Sequence, residues 1–371
     1  MEKFKIASFG FRSIPLQKGC AGSDKFAEEL LVRLAQKGYQ VNAYNRLYKN
    51  SKKFNHTYKG IHLYNLKTIE KKGFDTLLHS LKATIHIILH NKGDVVHIHN
   101  GGNSIWALFL RLFNKKVLVS QDGIDWNREK WPWYGKLYLR ISATITARIP
   151  NMVVFDNIFA KEMFEKKFKK KFNFIPYGSE ITEDTGENSS ILETLNLKPK
   201  QYFLFVGRFI PDKGLQYLIP AFEKAKTDKK LVLVGGSPNK SDFERKINAT
   251  RDKRILFPGY IYGNDTNCLI KNAYAYIQPS DVEGLSPVIL SVMSLKTPVI
   301  CSDIKENLYI LEDTALTFKK SDVSDLYDKI NFSLNNPKAL KKNAEKAKER
   351  VDKAFNWNSV VNQYIDLFRK I

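Results

Sequence analysis

The sequence predicts an α/β protein of two doubly wound parallel-sheet domains facing across a cleft. Three observations point to this class. Short β-branched and aromatic runs alternate with longer amphipathic ones along nearly all of the 371 residues, the rhythm of strand–helix–strand units that builds parallel sheets. The rhythm lapses once, over residues 179–201, where Ser, Thr, Asn, Gly and acids crowd together, and then restarts; such a lapse marks a linker. The length is too great for one ordinary core and suits two of roughly 150–200 residues each. The expected division is residues 1–178, residues 179–355, and a closing helix, 356–371, packing back toward the first domain.

The elements follow in order. "KFKIASFG" is a strand, and residues 23–38 form a helix with Ser23 as N-cap and Gly38 just past its end. "YQVNAYNR" and "GIHLYNL" are strands, and "FDTLLHSLKATIHIILH" is a helix. Strand "DVVHIH", helix "SIWALFLRLF", strand "KVLVSQDG", helix "GKLYLRISATITARI" and strand "MVVFDN" continue the alternation. A helix from about Ile158 runs into "KKFKKKF", and "FNFIPYG" closes the first half as a strand. A short lead-in helix follows the linker. The second half repeats the rhythm with "YFLFVG", "KLVLVGG", "RILFPGY", "AYAYIQPS", "PVICSD" and "ALTF", each followed by a helical segment. The Lys-rich tail from Pro337 is helical.

Composition narrows the function. About 43% of residues are apolar, enough for two buried cores, and 60 Lys+Arg against 38 Asp+Glu give a net charge of +22. A field of that sign attracts polyanions: nucleic acid, anionic lipid or phosphorylated substrates. The basic residues are spread out and no nucleic-acid recognition module is visible, which argues against nucleic acid. Cys20, Cys268 and Cys301 are far apart and without metal-ligand spacing, as expected of free thiols in a reducing compartment. No apolar run approaches the ~20 residues of a membrane span. The expectation is a cytoplasmic protein, peripheral on the inner face of the plasma membrane.

In such folds ligands meet the loops after the strands, and the informative motifs lie there. In "LFVGRFIPDKG", residues 204–214, Gly207 closes a strand and Arg208 and Lys213 precede a helix. A guanidinium fork, a point charge and helix-terminal amides together suit a phosphate; the alternative is two solvated cations. Pro220 inside the next helix is expected to kink it. In "PSDVEGLSPVILSVMS", residues 279–294, Glu283-Gly284 form a turn and Leu285-Ser286 lead into a helix through Pro287. The amides there suit a phosphate or sugar hydroxyls, and Glu283 suits a sugar ring or merely a helix cap.

The first half carries weaker signals. "IPLQKGCAGSD", residues 14–24, is a strand-to-helix loop whose Gly19 and Gly22 allow close backbone approach, though the spacing is not the dinucleotide fingerprint. "QDGIDWNREKW", residues 121–131, offers Asp122 and Asp125, or a plain turn around a packed Trp126. "HIHN" ends a strand without a third metal ligand, so His97 and His99 are either satisfied internally or facing substrate. "FAKEMFEKKFKKKF", residues 159–172, sets Phe159, Phe164, Phe168 and Phe172 near one helical face among six lysines. Buried phenylalanines with lysines turned to anionic lipid are the expectation.

Taken together, "VGRFIPDKG" followed about seventy residues later by "SDVEGLSPVIL" and "PVICSD" resembles the donor-binding half of retaining glycosyltransferases of family 4, which have the GT-B fold of two Rossmann-like domains. "GFRSIP", "AGSDKFAEELLVRLAQKGYQVNAYNR", "DVVHIH" and "DGIDWNREKW" are similar to the branch acting in bacterial surface polysaccharide synthesis, rhamnosyltransferases included. The resemblance covers nearly the whole chain.

It implies an acceptor-binding first domain and a nucleotide-sugar-binding second domain. Arg208 and Lys213 would hold the donor pyrophosphate, and Glu283 would touch the transferred sugar. Gly207, Gly284, Leu285 and Ser286 would line the donor, and Ala21-Gly22 would face the diphosphate, although Ala21 stands where relatives carry glycine. Asp122 is the candidate for contact with acceptor or sugar, with His99 and Asp125 beside it. Where the family carries a second glutamate, a ligand of the nucleotide ribose, this chain has Ser291; a deoxyribose donor has one hydroxyl fewer to hold.

The implied partners are a nucleotide-sugar donor, a saccharide or polyprenyl-linked acceptor and an anionic membrane surface, with no nucleic acid. No cofactor and no metal is expected, since no Asp-x-Asp motif sits in a suitable loop. A nucleotide-sugar epimerase of the same architecture and a catalytically weak partner subunit are the alternatives to transfer.

Overall fold

The computed structural model describes residues 4–17, 20, 22–49, 55–70, 73–123, 126, 132–179, 189–237 and 242–371. The chain divides into two compact units, Met1–Tyr177 with Asn358–Ile371, and Gly178–Trp357.

The first unit is built on an eight-stranded sheet. Its strands are β1 (Lys5–Phe9), β2 (Gln40–Leu47), β3 (Thr57–Tyr58), β4 (Ile61–Lys67), β5 (Val95–His99), β6 (Lys116–Gln121), β7 (Met152–Phe155) and β8 (Asn173–Phe174). They lie in the order β3-β4-β2-β1-β5-β6-β7-β8. All pairings are parallel except that of β3 with β4. The two-residue β3 has no counterpart in the sequence reading, because two residues carry no period. Helix α1 (Gly22–Gln36) follows β1, α2 (Phe74–Leu89) follows β4, α3 (Ile105–Leu112) follows β5, α4 (Trp133–Arg148) follows β6 and α5 (Ile158–Phe168) follows β7. Helix α1 starts one residue before Ser23, so that serine lies inside the first turn and is not its cap. A true cap stands at α5, where the Asn157 side chain accepts hydrogen bonds from the amides of Phe159 and Ala160, satisfying donors the helix leaves open.

One core of this unit packs Phe9, Tyr44, Ile87, Val96, Ile98 and Leu110 between sheet and helices. A second gathers Trp126, Phe155, Phe164 and Phe172. The closing helix α14 (Trp357–Lys370), whose residues 358–370 belong to this unit, presents Tyr364 and Phe368 to Phe26 and His97. The Tyr364 hydroxyl lies 3.1 Å from Ser120 Oγ.

The second unit has six parallel strands: β9 (Tyr202–Arg208), β10 (Lys230–Gly236), β11 (Ile255–Gly259), β12 (Ala275–Gln278), β13 (Val299–Ser302) and β14 (Leu316–Phe318). Their order is β11-β10-β9-β12-β13-β14. Helices α6 (Ile191–Thr194), α7 (Leu215–Lys224), α8 (Asp242–Ile247), α9 (Asn264–Asn272), α10 (Pro287–Ser294), α11 (Lys305–Leu311), α12 (Val323–Asn335) and α13 (Pro337–Ala354) complete it. Pro220 sits inside α7. Phe203, Phe205, Leu218, Phe222, Leu233 and Ile277 form the centre of its core. Strands buried on both faces read as the near-continuous apolar runs seen in the sequence.

Strand order reverses between β1 and β5 in one sheet and between β9 and β12 in the other. At such a switch the loops of neighbouring strands diverge and leave room for a ligand beyond the carboxyl ends.

Candidate active site

In the second unit the two sequence motifs meet at the β9/β12 switch. Gly207 is placed by packing: a Cβ there would stand 2.8 Å from the Phe205 ring. Arg208 ends β9, exposed and close enough to the Tyr260 phenol to favour its ionised form, although burial pushes that phenol up overall. The chain then makes a short 3-10 turn, Pro211–Lys213, and closes on Gly214 at φ 74°. A Cβ on Gly214 would lie 1.8 Å from the Pro279 carbonyl oxygen. Only glycine lets the turn press against the end of β12 in this conformation.

The turn is also tied to the second motif by hydrogen bonds. The Asp281 amide donates to the Asp212 carbonyl at 2.9 Å, and the Tyr217 hydroxyl donates to Asp281 at 2.9 Å. The consequence is a pairing across seventy positions of sequence. Lys213 Nζ lies 2.5 Å from Glu283 Oε1. Ser280 Oγ donates to the same oxygen at 2.6 Å, and the Gln278 side-chain amide donates to it as well. Three donors thus converge on Oε1, leaving Oε2 outside the net. The Glu283 side chain is 6% exposed and that of Lys213 18%. A carboxylate this buried must be matched by donors, and the loop supplies them.

Beyond Glu283, Gly284 is half-buried and Leu285 and Ser286 are buried. Ser286 takes the N-cap position of α10 with no side-chain cap bond, and Pro287 stands in the first turn. Ser291 is buried, and its hydroxyl turns back to donate to the Pro287 carbonyl at 3.2 Å. The serine therefore satisfies itself on its own helix.

The first unit carries acids and aromatics at its own strand ends. The register sets Gln121 opposite Phe155 at the ends of β6 and β7, so the next residues, Asp122 and Asp156, leave adjacent strand ends. Asp156 is buried, its Oδ1 meets no hydrogen-bond partner among the described residues, and the Tyr177 phenol bonds the carboxyl. Burial first, and the Asp122 charge second, hold the Asp156 carboxyl well above the ordinary carboxylate range. Burial and the same two acids push the Tyr177 hydroxyl up. Asp156 was not singled out in the sequence; its partner Asp122 was. Gly22 opens α1.

His99 is a correction. The expectation placed it against acceptor or sugar. The structure buries it to 3% exposure, with Nε2 3.0 Å from Ser8 Oγ and the ring 4.0 Å from that of His97. Burial lowers its pKa to about 3, so it is a neutral, packed histidine. Its strand neighbours explain this: β5 is interior to the sheet, flanked by β1 and β6. His97 is packed likewise, with Nε2 2.8 Å from Ser120 Oγ. Trp126 packs 5.4 Å from Phe164 and under the Lys167 ammonium. Gly19, Ala21 and Asp125 lie outside the described residues.

Residues 190–350 match the family model "Glycosyl transferases group 1", and residues 5–180 match a domain of unknown function, DUF1972. An O-antigen chain mannosyltransferase C of Escherichia coli is 23% identical over 63% of this chain and 64% of its own length. A sucrose-phosphate synthase from Thermosynechococcus elongatus superposes with a TM-score of 0.82, covering 98% of both chains at 21% identity. The Anabaena protein HepE, solved with UDP and glucose, superposes with a TM-score of 0.80 over 99% of this chain and all of its own, at 14% identity. The group 1 match spans the unit in which Arg208, Lys213 and Glu283 sit, and the chain is a glycosyltransferase with the GT-B fold.

Proposed function

We propose that the protein moves a hexosyl or 6-deoxyhexosyl group, rhamnosyl among the candidates, from a nucleotide-sugar to a saccharide or polyprenyl-linked acceptor in cell-surface polysaccharide synthesis, with retention of configuration. The observation that carries the reading is the Lys213–Glu283 pair at the β9/β12 switch, one loop from Arg208. It joins a phosphate-binding cation and a sugar-binding acid in one unit of structure. The mannosyltransferase relative and the UDP- and glucose-bound neighbour support this chemistry.

Glycosyl transfer passes through an oxocarbenium-like state while negative charge builds on the departing diphosphate. Cations already fixed in place stabilise that charge more in the transition state than in the bound donor. Arg208 and Lys213 take this role. Glu283 offers its remaining oxygen, Oε2, to the sugar, and the stacked rings of Tyr260 and Tyr262 beside Arg208 offer a face to the base. With the diphosphate oxygen taking the acceptor proton, no carboxylate nucleophile is needed, and Asp122 positions the acceptor. The reading includes no resident metal, because the two cations meet the leaving-group charge. Ser291 favours a deoxyribose donor, a dTDP-sugar. The site of action is an anionic membrane surface, to which the net charge of +22 is suited.

A panel of dTDP-, UDP- and GDP-sugars in a thermal-shift assay tests this, since a bound donor stabilises the fold by mass action. A shift with one donor, absent in Arg208→Ala, is expected, followed by transfer to a lipid-linked acceptor. No shift with any donor would remove the reading. Conversion of the donor without acceptor would favour an epimerase, and preference for a ribose donor would remove the argument from Ser291.

A further inference from the structure

Helices α2, α3 and α4 pack side by side on one face of the first sheet, and their outward side is unusual. Leu89, Phe109, Leu112, Phe113, Leu137 and Ile141 are all exposed there, Leu112 and Leu89 to 77% and 74%. Leu137 and Ile141 stand one turn apart on α4. Phe109, Leu112 and Phe113 share the outer side of α3 and its end. The tips of α2 and α3 are joined by a hydrogen bond from Lys115 to the Asn91 side chain, which brings Leu89 and Phe113 to neighbouring helix ends. Apolar surface concentrated in this way marks an interaction site.

The charge around it is predominantly positive. Across the three helices the sequence carries one acid, Asp75, against Lys82, Arg111, Lys136, Arg140 and Arg148. Asp75 is paired with Arg46 at 3.1 Å. Lys92, Lys115 and Lys116 follow within a few residues of the helix ends, with the exposed acid Asp94 beside them. An apolar ridge rimmed by cations complements an anionic lipid surface: the hydrocarbon boundary takes the ridge and the headgroups take the rim. No helix among the described residues is long and apolar enough to cross a membrane, so a face of this kind would lie on the bilayer.

The lysine-rich helix that the sequence singled out has no comparable ridge: Met163 is exposed on it, but its central aromatics turn inward. In α5 and the turn after it Phe164 and Phe172 are buried, Lys171 pairs with Glu165 and Lys170 reaches the Ala147 carbonyl. Charge alone gives weak, salt-sensitive attachment, and stable docking needs a second signal.

We propose that the outer face of α2, α3 and α4 is the membrane-docking surface, inserting its leucines and phenylalanines into an anionic leaflet. The inference rests on the reading of the acceptor as lipid-linked and says where the protein meets that lipid. It is tested by sedimentation of the full chain with vesicles of phosphatidylcholine, with and without phosphatidylglycerol. The proteins compared are wild type, Leu112→Glu, Leu137→Glu and the double variant Lys170→Glu/Lys171→Glu.

Wild type should bind the anionic vesicles, with each ridge variant weakened roughly tenfold, since burial of one such side chain is worth about that factor. The lysine-helix variant should stay within about threefold, as removal of surface charge at one remove from the contact does. All variants change exposed positions and should keep the wild-type thermal midpoint and its shift with donor. Loss confined to the lysine-helix variant would overturn the docking face while leaving membrane attachment standing. Equal partitioning of wild type with and without anionic lipid would remove the membrane reading itself. A wild-type dimer in gel filtration that Leu112→Glu splits would assign the face to a second copy of the chain and overturn the proposal.

Discussion

The two sheets differ at the carboxyl ends of their strands, and the difference concerns how each treats a carboxylate. In the second unit Glu283 is buried, yet a lysine, a serine hydroxyl and an amide all donate to one of its oxygens. In the first unit Asp156 is buried beside a second acid, with a phenol as its hydrogen-bond partner and Oδ1 unmatched. One environment is built to hold negative charge, the other to suppress it. The lesson is that cations alone do not define an anion site in a chain with 60 of them. What distinguishes Lys213 is that it is already spending its charge on a buried partner. A diphosphate held there, as we propose, would share an ammonium already fixed in place, so little reorganisation would remain at the moment of reaction.

The largest expected effect breaks this pairing. Lys213→Ala removes the proposed diphosphate ligand and leaves Glu283 buried without its cation. Turnover should fall about a hundredfold or more, and the second unit should lose about 3 kcal/mol, the scale of breaking one side of a buried pair. Sequence reasoning alone makes this variant inactive but intact; the ion pair adds a cost in stability. The double change Lys213→Met/Glu283→Gln removes both charges and keeps the contacts from Ser280 and Gln278. Urea denaturation should place it within about 1 kcal/mol of wild type, while turnover stays at least about a hundredfold down. A double variant as unstable as the single one would show that the pair contributes through packing instead of charge.

Arg208→Ala sharpens the contrast within the same site. Arg208 is exposed, so its loss should move stability by no more than about 0.5 kcal/mol. Turnover should nonetheless drop about a hundredfold, equivalent to about 3 kcal/mol of transition-state stabilisation. Steady-state kinetics should show the fall chiefly in kcat, because the charge it meets develops as the bond breaks. Wild-type turnover would show that the guanidinium takes no part in transfer.

How much of this was legible before the fold was known depends on distance along the chain. Arg208, Lys213 and Glu283 could be found because each lies within a few residues of a strand end, where apolar runs stop and glycines begin. The doubly wound alternation was legible for the same reason: among the described residues, all strands but β3 and β8 are longer than two residues and carry their own pattern. The ion pair itself was not legible. It depends on Gly214 docking against Pro279, a contact set by which strands are neighbours in the sheet. His99 looked open for want of that same knowledge, since its burial comes from β1 and β6 on either side. The exposed ridge stayed hidden because an apolar residue in an amphipathic helix reads as core unless the outward side of the helix is known.

Asp156 was illegible for the clearest reason: only the β6/β7 register makes it a neighbour of Asp122. It supplies the smallest and most diagnostic prediction. Asp122 from β6, Tyr177 after β8 and Tyr364 on α14 face the acid, and His97 stands behind Tyr364. None of these is a cation at neutral pH, the histidine being held neutral by burial. The folded chain therefore keeps a proton on Asp156 at pH values where the unfolded chain, with a carboxyl near about 3.9, has released it. A folded-state pKa raised above the unfolded one gives a contribution that is full below the unfolded value and is lost as pH rises through the window up to the folded value. Asp156→Asn retains the acceptor for Tyr177 and cannot ionise. Its stability, measured by urea denaturation between pH 4 and 8 (a range chosen to bracket about 3.9 to neutrality), should fall less steeply with pH than that of wild type. The variant should be the more stable protein at the alkaline end. Parallel curves would mean that Asp156 is ionised in the folded state after all, and the contrast between the two sheet ends would then be one of geometry without a difference in charge.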